Sequence, residues 1–158
     1  MMFPLLNFPA YSPRLKKTPA GKAAVFDPVR KRFVALTPEE WVRQHLLNYL
    51  IAVKSVPASL IAVEAPVRYH TLKKRSDIVV YGSSRKPLLI AECKAPDVPL
   101  SQDTLNQVLM YHASFSGRFL VLTNGISHLY CKIDREGGRI DLIDDLPQYQ
   151  EMIRNPKP

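Results

Sequence analysis

Ser76-Asp77-Ile78-Val79-Val80-Tyr81, then the polar Gly82-Ser83-Ser84-Arg85-Lys86, then Pro87-Leu88-Leu89-Ile90-Ala91-Glu92-Cys93-Lys94, is the stretch that decides how this chain folds. Two apolar, β-favouring runs joined by turn-forming residues read as a β-hairpin. Charge sits at the ends of the runs: Asp77 opens the first, and Glu92 and Lys94 close the second. Burying an unpaired charge is costly, so carboxylates on such strands call for a compensating cation or for water. Glu92 and Lys94 are two apart and share one face of a strand. A register pairing Gly82 with Pro87 sets Asp77 opposite Glu92, with Cβ atoms about 5 Å apart. A slip of one residue would send Asp77 to the other face.

Two carboxylates at that separation repel each other, and a hard divalent cation with a preference for oxygen relieves the repulsion. Such an ion polarises a phosphate and activates bound water, while Lys94 steers the attacking hydroxide and offsets developing negative charge. The backbone carbonyl of Cys93 is a further candidate ligand. The bland alternative pairs Glu92 with Lys94 on a solvated sheet edge and lets Asp77 end an ordinary strand. The Asp, the apolar strand, the hairpin-length gap and the Glu-x-Lys together favour the catalytic reading.

Working outward, residues 1–21 are proline-punctuated and without clear periodicity, and read as an extended arm; residues 22–158 read as one domain. Ala23 to Phe26 and Arg32 to Leu36 predict a short hairpin. Thr37-Pro38-Glu39-Glu40 announces a helix with Thr37 as N-cap and Pro38 at its first position, and apolar Val42, Leu46, Tyr49, Leu50 and Val53 give it one buried face before Pro57. Strands follow over Leu60 to Arg68, Asp77 to Tyr81 and Leu88 to Cys93. A helix is predicted from Ser101 to about Phe115, with Leu105, Val108, Leu109 and His112 or Ala113 on its inner face. Next come the unbroken apolar strand Phe119 to Thr123, a turn at Asn124-Gly125, a strand from His128 to Ile133 and a short helix over Leu146 to Ile153. The helical crossover makes the Phe119 strand parallel to the Leu88 strand. The fold class is α/β, a mixed sheet flanked by helices.

Several motifs together resemble the PD-(D/E)XK nuclease superfamily, and within it the N-terminal domain of type I restriction enzyme R subunits: Pro38-Glu39-Glu40-Trp41-Val42-Arg43-Gln44, Lys74-Arg75-Ser76-Asp77, Glu92-Cys93-Lys94-Ala95-Pro96, Gln107-Val108-Leu109-Met110-Tyr111 and Thr123-Asn124-Gly125. The resemblance implies a restriction-endonuclease-like αβββαβ core and an Mg²⁺- or Mn²⁺-dependent endonuclease acting on DNA in restriction or defence. It implies catalytic Asp77, Glu92 and Lys94, with the metal held by Asp77, Glu92, Cys93 and an acid of the first helix. Glu40 matches that acid and Glu39 competes with it; Glu40 is also where a capping box places its glutamate. Gln107 and Tyr111 match a Q-x-x-x-Y that lines the DNA channel or supports the lysine; the plain alternative is a solvated glutamine and a core tyrosine. Ser76 stands where the motif has proline, a position catalysis does not need. No G-x-x-x-x-G-K-[ST] loop follows a strand, so the expectation is either a standalone nuclease or one that relies on a partner chain for an ATP-driven motor or for specificity. A non-cutting DNA-binding module is the competing function, and a homodimer is compatible with either.

The charge fits a polyanionic partner. Across 158 residues, 22 basic side chains outnumber 14 acidic ones, for a net charge of +8. Lys73, Lys74 and Arg75, just before Asp77, suggest a phosphate-binding rim; Lys16-Lys17 and Arg30-Lys31-Arg32 carry no preference between rim and solvated surface. Cys93 and Cys131 match no zinc spacing or disulfide framework, and His45, His70, His112 and His128 show no metal-ligand spacing. The opening residues lack the basic region of a signal peptide, and no apolar stretch approaches a membrane span, so the expectation is a soluble protein of a reducing cytoplasm.

Overall fold

The computed structural model describes residues 3–69, 72–111 and 116–154. The strands are β1 (Leu15–Lys17), β2 (Ala23–Asp27), β3 (Arg32–Ala35), β4 (Ile61–Tyr69), β5 (Leu72–Tyr81), β6 (Pro87–Cys93), β7 (Phe119–Thr123), β8 (His128–Asp134) and β9 (Arg139–Ile143). The helices are α1 (Pro38–Asn48), α2 (Gln102–Tyr111) and α3 (Tyr149–Met152). β1-β2-β3 form a small antiparallel sheet, and β4 to β9 form a six-stranded sheet in sequence order. In the large sheet β6 and β7 run parallel and the other neighbours antiparallel. The succession α1-β4-β5-β6-α2-β7 is the αβββαβ core.

Thr37 caps α1, its Oγ1 accepting from the Glu40 N–H at 3.0 Å, and Pro38 takes the first turn where no N–H is needed. Val42, Leu46, Leu47 and Leu50 bury the inner stripe of this helix against Ile78, Val80, Leu89, Ala91 and Val121 on one sheet face. Leu105 and Val108 of α2 pack on the other face with Val79, Ile90, Leu120 and Leu122. β6 and β7 are therefore covered on both sides, which is why their sequences are continuously apolar rather than alternating. After α1 the chain widens into one π turn over Tyr49–Val53 and ends helical structure before Pro57.

Several boundaries differ from the sequence reading. β5 starts at Leu72, so Asp77 stands inside a strand rather than at its head; residues 72–76 pair with the second half of β4, a partner the sequence does not announce. β9 was not expected, because its exposed edge position leaves Arg139-Ile140-Asp141-Leu142-Ile143 with little buried periodicity. The last helix shrinks to Tyr149–Met152 with Gln148 as its N-cap, because Pro147 disfavours helical backbone at Leu146 before it. Leu15–Lys17, within the proline-punctuated start, is a strand bonded to β2. His70, His112 and Ala113 lie outside the described residues.

Candidate active site

The hairpin that carries the site forms with the expected offset but by a different closure. Tyr81 pairs with Pro87 in place of the expected Gly82–Pro87 pair, and Gly82 N–H donates to the Lys86 carbonyl at 2.8 Å. A bulge between Val80 and Tyr81 absorbs the difference and leaves Val80↔Leu89, Val79↔Ile90 and Ile78↔Ala91. One step further along this offset Asp77 lies opposite Glu92. There β6 turns its pairing wholly to β7, through Glu92↔Leu122 and Cys93↔Thr123, and the Lys94 N–H extends it by donating to the Thr123 carbonyl at 2.8 Å. The Cys93 N–H is satisfied instead by Asp77 Oδ2 at 2.7 Å.

Asp77 and Glu92 thus meet at the point where β5 and β6 part. Burial, then the neighbouring Glu92 carboxyl, pushes Asp77 up to about 7, against the opposing pull of the Cys93 N–H and Arg43. Two carboxyls in contact under low exposure are an arrangement that structural needs alone disfavour. Glu92 is 8% exposed, and Lys94 beside it is half-buried.

A network of arginines, which sequence reasoning missed, faces this pair. Arg43 donates from Nη2 to Asp77 Oδ1 at 2.9 Å and from Nη1 to Glu40 Oε1 at 3.2 Å, and its guanidinium reaches Glu64 at 3.5 Å and Glu39 at 3.7 Å. Arg30 Nη2 donates to Glu40 Oε1 at 2.5 Å. Its Nε donates to Asp27 Oδ2 at 2.7 Å. Asp27 is fully buried and also accepts from the N–H groups of Val29 and Arg30 and from Gln44 Nε2. Those bonds hold its carboxyl below its ordinary range against the cost of burial. The Glu40 carboxylate therefore turns toward arginines instead of back to its helix cap. Four buried polar atoms remain without a hydrogen-bond partner among the described residues: Glu40 Oε2, Arg43 Nε, Gln44 Oε1 and Ser76 Oγ.

Glu64 was also missed. The β4–β5 register runs through Val63↔Ile78 and Ala65↔Ser76, which puts Glu64 level with Asp77, and its φ of 55° is a left-handed conformation rare for a non-glycine residue. The only sequence signals for these residues were an arginine three positions after Glu40 on the buried side of α1 and a glutamate inside an apolar strand. Arg30, Arg32, Phe33, Glu40, Arg43 and Glu64 are among the residues lining an open cleft of about 730 Å³ that reaches Ala95, next to Lys94.

Of the expected site residues, the structure brings together Asp77, Glu92 and the backbone of Cys93, with Lys94 following on the chain. Glu40 joins them through Arg43, and Glu39 stays exposed with only a long contact to the same guanidinium. Among the described residues no three acidic, histidine or cysteine side chains converge as a ready-made ion cage. The Cys93 thiol lies in the core on the α1 side, where burial and then the Asp77 carboxyl push its pKa well up, and its backbone N–H bonds Asp77. Gln107 is exposed on α2, and Arg75 is exposed two residues before Asp77. The side chains of Tyr111, Lys73 and Lys74 lie outside the described residues. No described helix is long and apolar enough to cross a membrane.

The family described as the type I restriction enzyme R protein N terminus matches residues 38–147. None of the curated proteins matches. A structure of a fragment assigned as the HsdR subunit of a type I restriction enzyme from Vibrio vulnificus superposes with a TM-score of 0.52 at 19% identity, over 74% of this chain and 24% of that one. This chain therefore spans about a quarter of that fragment. A protein of the DUF820 family from Anabaena variabilis, assigned as a nuclease, gives 0.49 at 11% identity over 88% of this chain and 93% of its own. The type IIG restriction endonuclease BpuSI gives 0.41 at 18% identity over 71% and 15%.

Proposed function

The chain belongs to the family of type I restriction enzyme R protein N termini, and from that membership we propose that it is a metal-dependent endonuclease cutting DNA phosphodiesters. One observation carries the reading: two carboxyls, Asp77 and Glu92, pressed together where the strands part, with a lysine two residues beyond Glu92. A hard divalent cation suits this donor set, because it takes oxygen ligands and removes the repulsion that pushes Asp77 up. Asp77, Glu92 and the Cys93 carbonyl would hold Mg²⁺ or Mn²⁺, and the unpartnered Oε2 of Glu40 is a further oxygen within the same network. When bound, the ion supplies Lewis acidity toward the scissile phosphate and its water.

The remaining work belongs to the chain's own groups. Lys94 holds the attacking water and offsets the negative charge that grows on the phosphate. Arg43 keeps Asp77 oriented, and Arg30 fixes Glu40 to the β2–β3 turn. Lys73, Lys74 and Arg75 hold the DNA backbone without reading sequence, and Gln107 and Tyr111 line the channel. In this reading the domain works in restriction or defence in the cytoplasm, beside a motor or specificity subunit. The contact between Arg43 and Asp77 favours a second reading, since a guanidinium already compensates one carboxylate: a DNA-binding module that cuts nothing alone.

Supercoiled plasmid and linear single-stranded DNA incubated with the purified protein in Mg²⁺, Mn²⁺ or EDTA separate the two. Metal-dependent nicking supports the nuclease. Retarded but intact DNA in every metal supports the binding module.

A further inference from the structure

The charge of this protein is concentrated outside the segment that the family accounts for. The first 35 residues carry seven basic side chains and a single acid, Asp27, whereas the other residues are nearly balanced. That acid is buried and turned inward to Arg30, so it does not offset the exposed lysines of this segment. The pairing of β1 with β2 and of β2 with β3 collects Lys16, Lys17 and Arg32 on one small sheet, and all three side chains are exposed. On one face of that sheet Lys16 Nζ lies 4.1 Å from the centre of the Phe33 ring and the Arg14 guanidinium 4.5 Å from that of Phe26. The two rings meet edge to face at 5.4 Å. Each cation is attracted to the face of its ring.

The sheet is also fixed relative to the acid centre. Asp27, at the end of β2, is bonded to Gln44 of α1, and Arg30 of the adjoining turn bonds Glu40. Arg32 and Phe33 line the same cleft as Glu40, Arg43 and Glu64. A linear polyanion lying in this cleft would meet Arg32 at its edge, on the sheet that also carries Lys16 and Lys17.

We propose that the β1–β3 sheet is a DNA-backbone-binding wing, taking phosphates of a duplex that enters the cleft through Lys16, Lys17 and Arg32. The proposal deepens the nuclease reading and rests on it for the choice of DNA. It predicts sequence-independent binding, because lysines and an arginine on exposed strands neutralise phosphates without touching base edges.

Binding is read by fluorescence anisotropy with a labelled DNA duplex in EDTA, so that cutting plays no part. Relative to the unaltered protein, the triple variant Lys16→Gln/Lys17→Gln/Arg32→Gln should bind about tenfold more weakly at about 0.1 M salt, with the slope of log affinity against log salt reduced by about 2 to 3. Each single variant should reduce it by about 0.9. The charge-matched Arg85→Gln/Lys86→Gln/Lys132→Gln, at the hairpin tip and on β8, should change the slope by less than about 1. The proposal is overturned if the first triple variant binds like the unaltered protein, or if both triples weaken binding equally. It is also overturned if the first triple loses only its binding to vesicles of anionic lipid. Metal-dependent cutting with no effect of the triple would sink the wing alone; a strong effect of the triple without any cutting would sink the nuclease and leave the wing.

Discussion

The turn between β7 and β8 and the acid centre between α1, β5 and β6 are both dense in buried polar groups, yet they treat them in opposite ways. At the turn every group is matched. Asn124 Oδ1 accepts from the N–H groups of Ile126 and Ser127 at 2.9 and 2.8 Å, and its Nδ2 donates to the Val98 carbonyl at 2.7 Å. Thr123 Oγ1 accepts from Gly125 N–H, and His128 bridges Thr123 Oγ1 and the Asn7 carbonyl, both at 2.7 Å. At the acid centre two carboxyls touch, and the four unpartnered buried polar atoms all belong to it or to its flanks. Satisfied clusters hold a fold; a cluster left with orphans and like charges points to an absent ligand.

The largest effect that would break this comparison is on cutting. Alanine at Asp77, Glu92 or Lys94 should each lower plasmid cleavage by more than about a hundredfold, as expected when a transition-state contact is removed, with the circular dichroism spectrum unchanged. Asn124→Ala should do the reverse: it strips a buried cap of its partners and costs about 2 to 3 kcal/mol in urea unfolding, while folded molecules cut normally. Gly125→Ala should cost about 1 to 2 kcal/mol, because its φ of +85° suits glycine and an added Cβ would meet Leu6 at 2.7 Å.

Acid–base behaviour sharpens the contrast. The folded state raises Asp77 to about 7, so it holds a proton that the unfolded chain has already released. Its stabilising contribution is complete below about pH 4 and disappears as pH climbs through about 7. Metal-free protein should therefore melt at a lower temperature at about pH 8 than at about pH 5, and Asp77→Asn should flatten that difference. The smallest effect is at the exposed Arg75, where Arg75→Gln should reduce the salt slope of DNA binding by about 0.9 and leave stability unchanged.

What the sequence disclosed follows the same division. The α1 start, the hairpin offset that brings Asp77 to Glu92 and the parallel β6–β7 pair were legible, because capping, apolar periodicity and strand alternation are local signals. The arginines and Glu64 were not. Arg43 sits on the buried side of a helix where an apolar residue is expected, and its role exists only once β5 is packed beside α1. Glu64 becomes a neighbour of Asp77 only through the β4–β5 register, and β9 was hidden because an exposed edge strand has little to bury. The bulge at Val80–Tyr81 is instructive: the assumed turn was different, and the offset that aligns Asp77 with Glu92 nevertheless holds.

Calorimetric titration of Mn²⁺ into the unaltered protein, Asp77→Asn and Glu92→Gln tests the central claim most directly. One saturable site that disappears in both variants, each still folded, is the expected result. Equal heats in all three proteins, or no site in any of them, would contradict an ion held by Asp77 and Glu92.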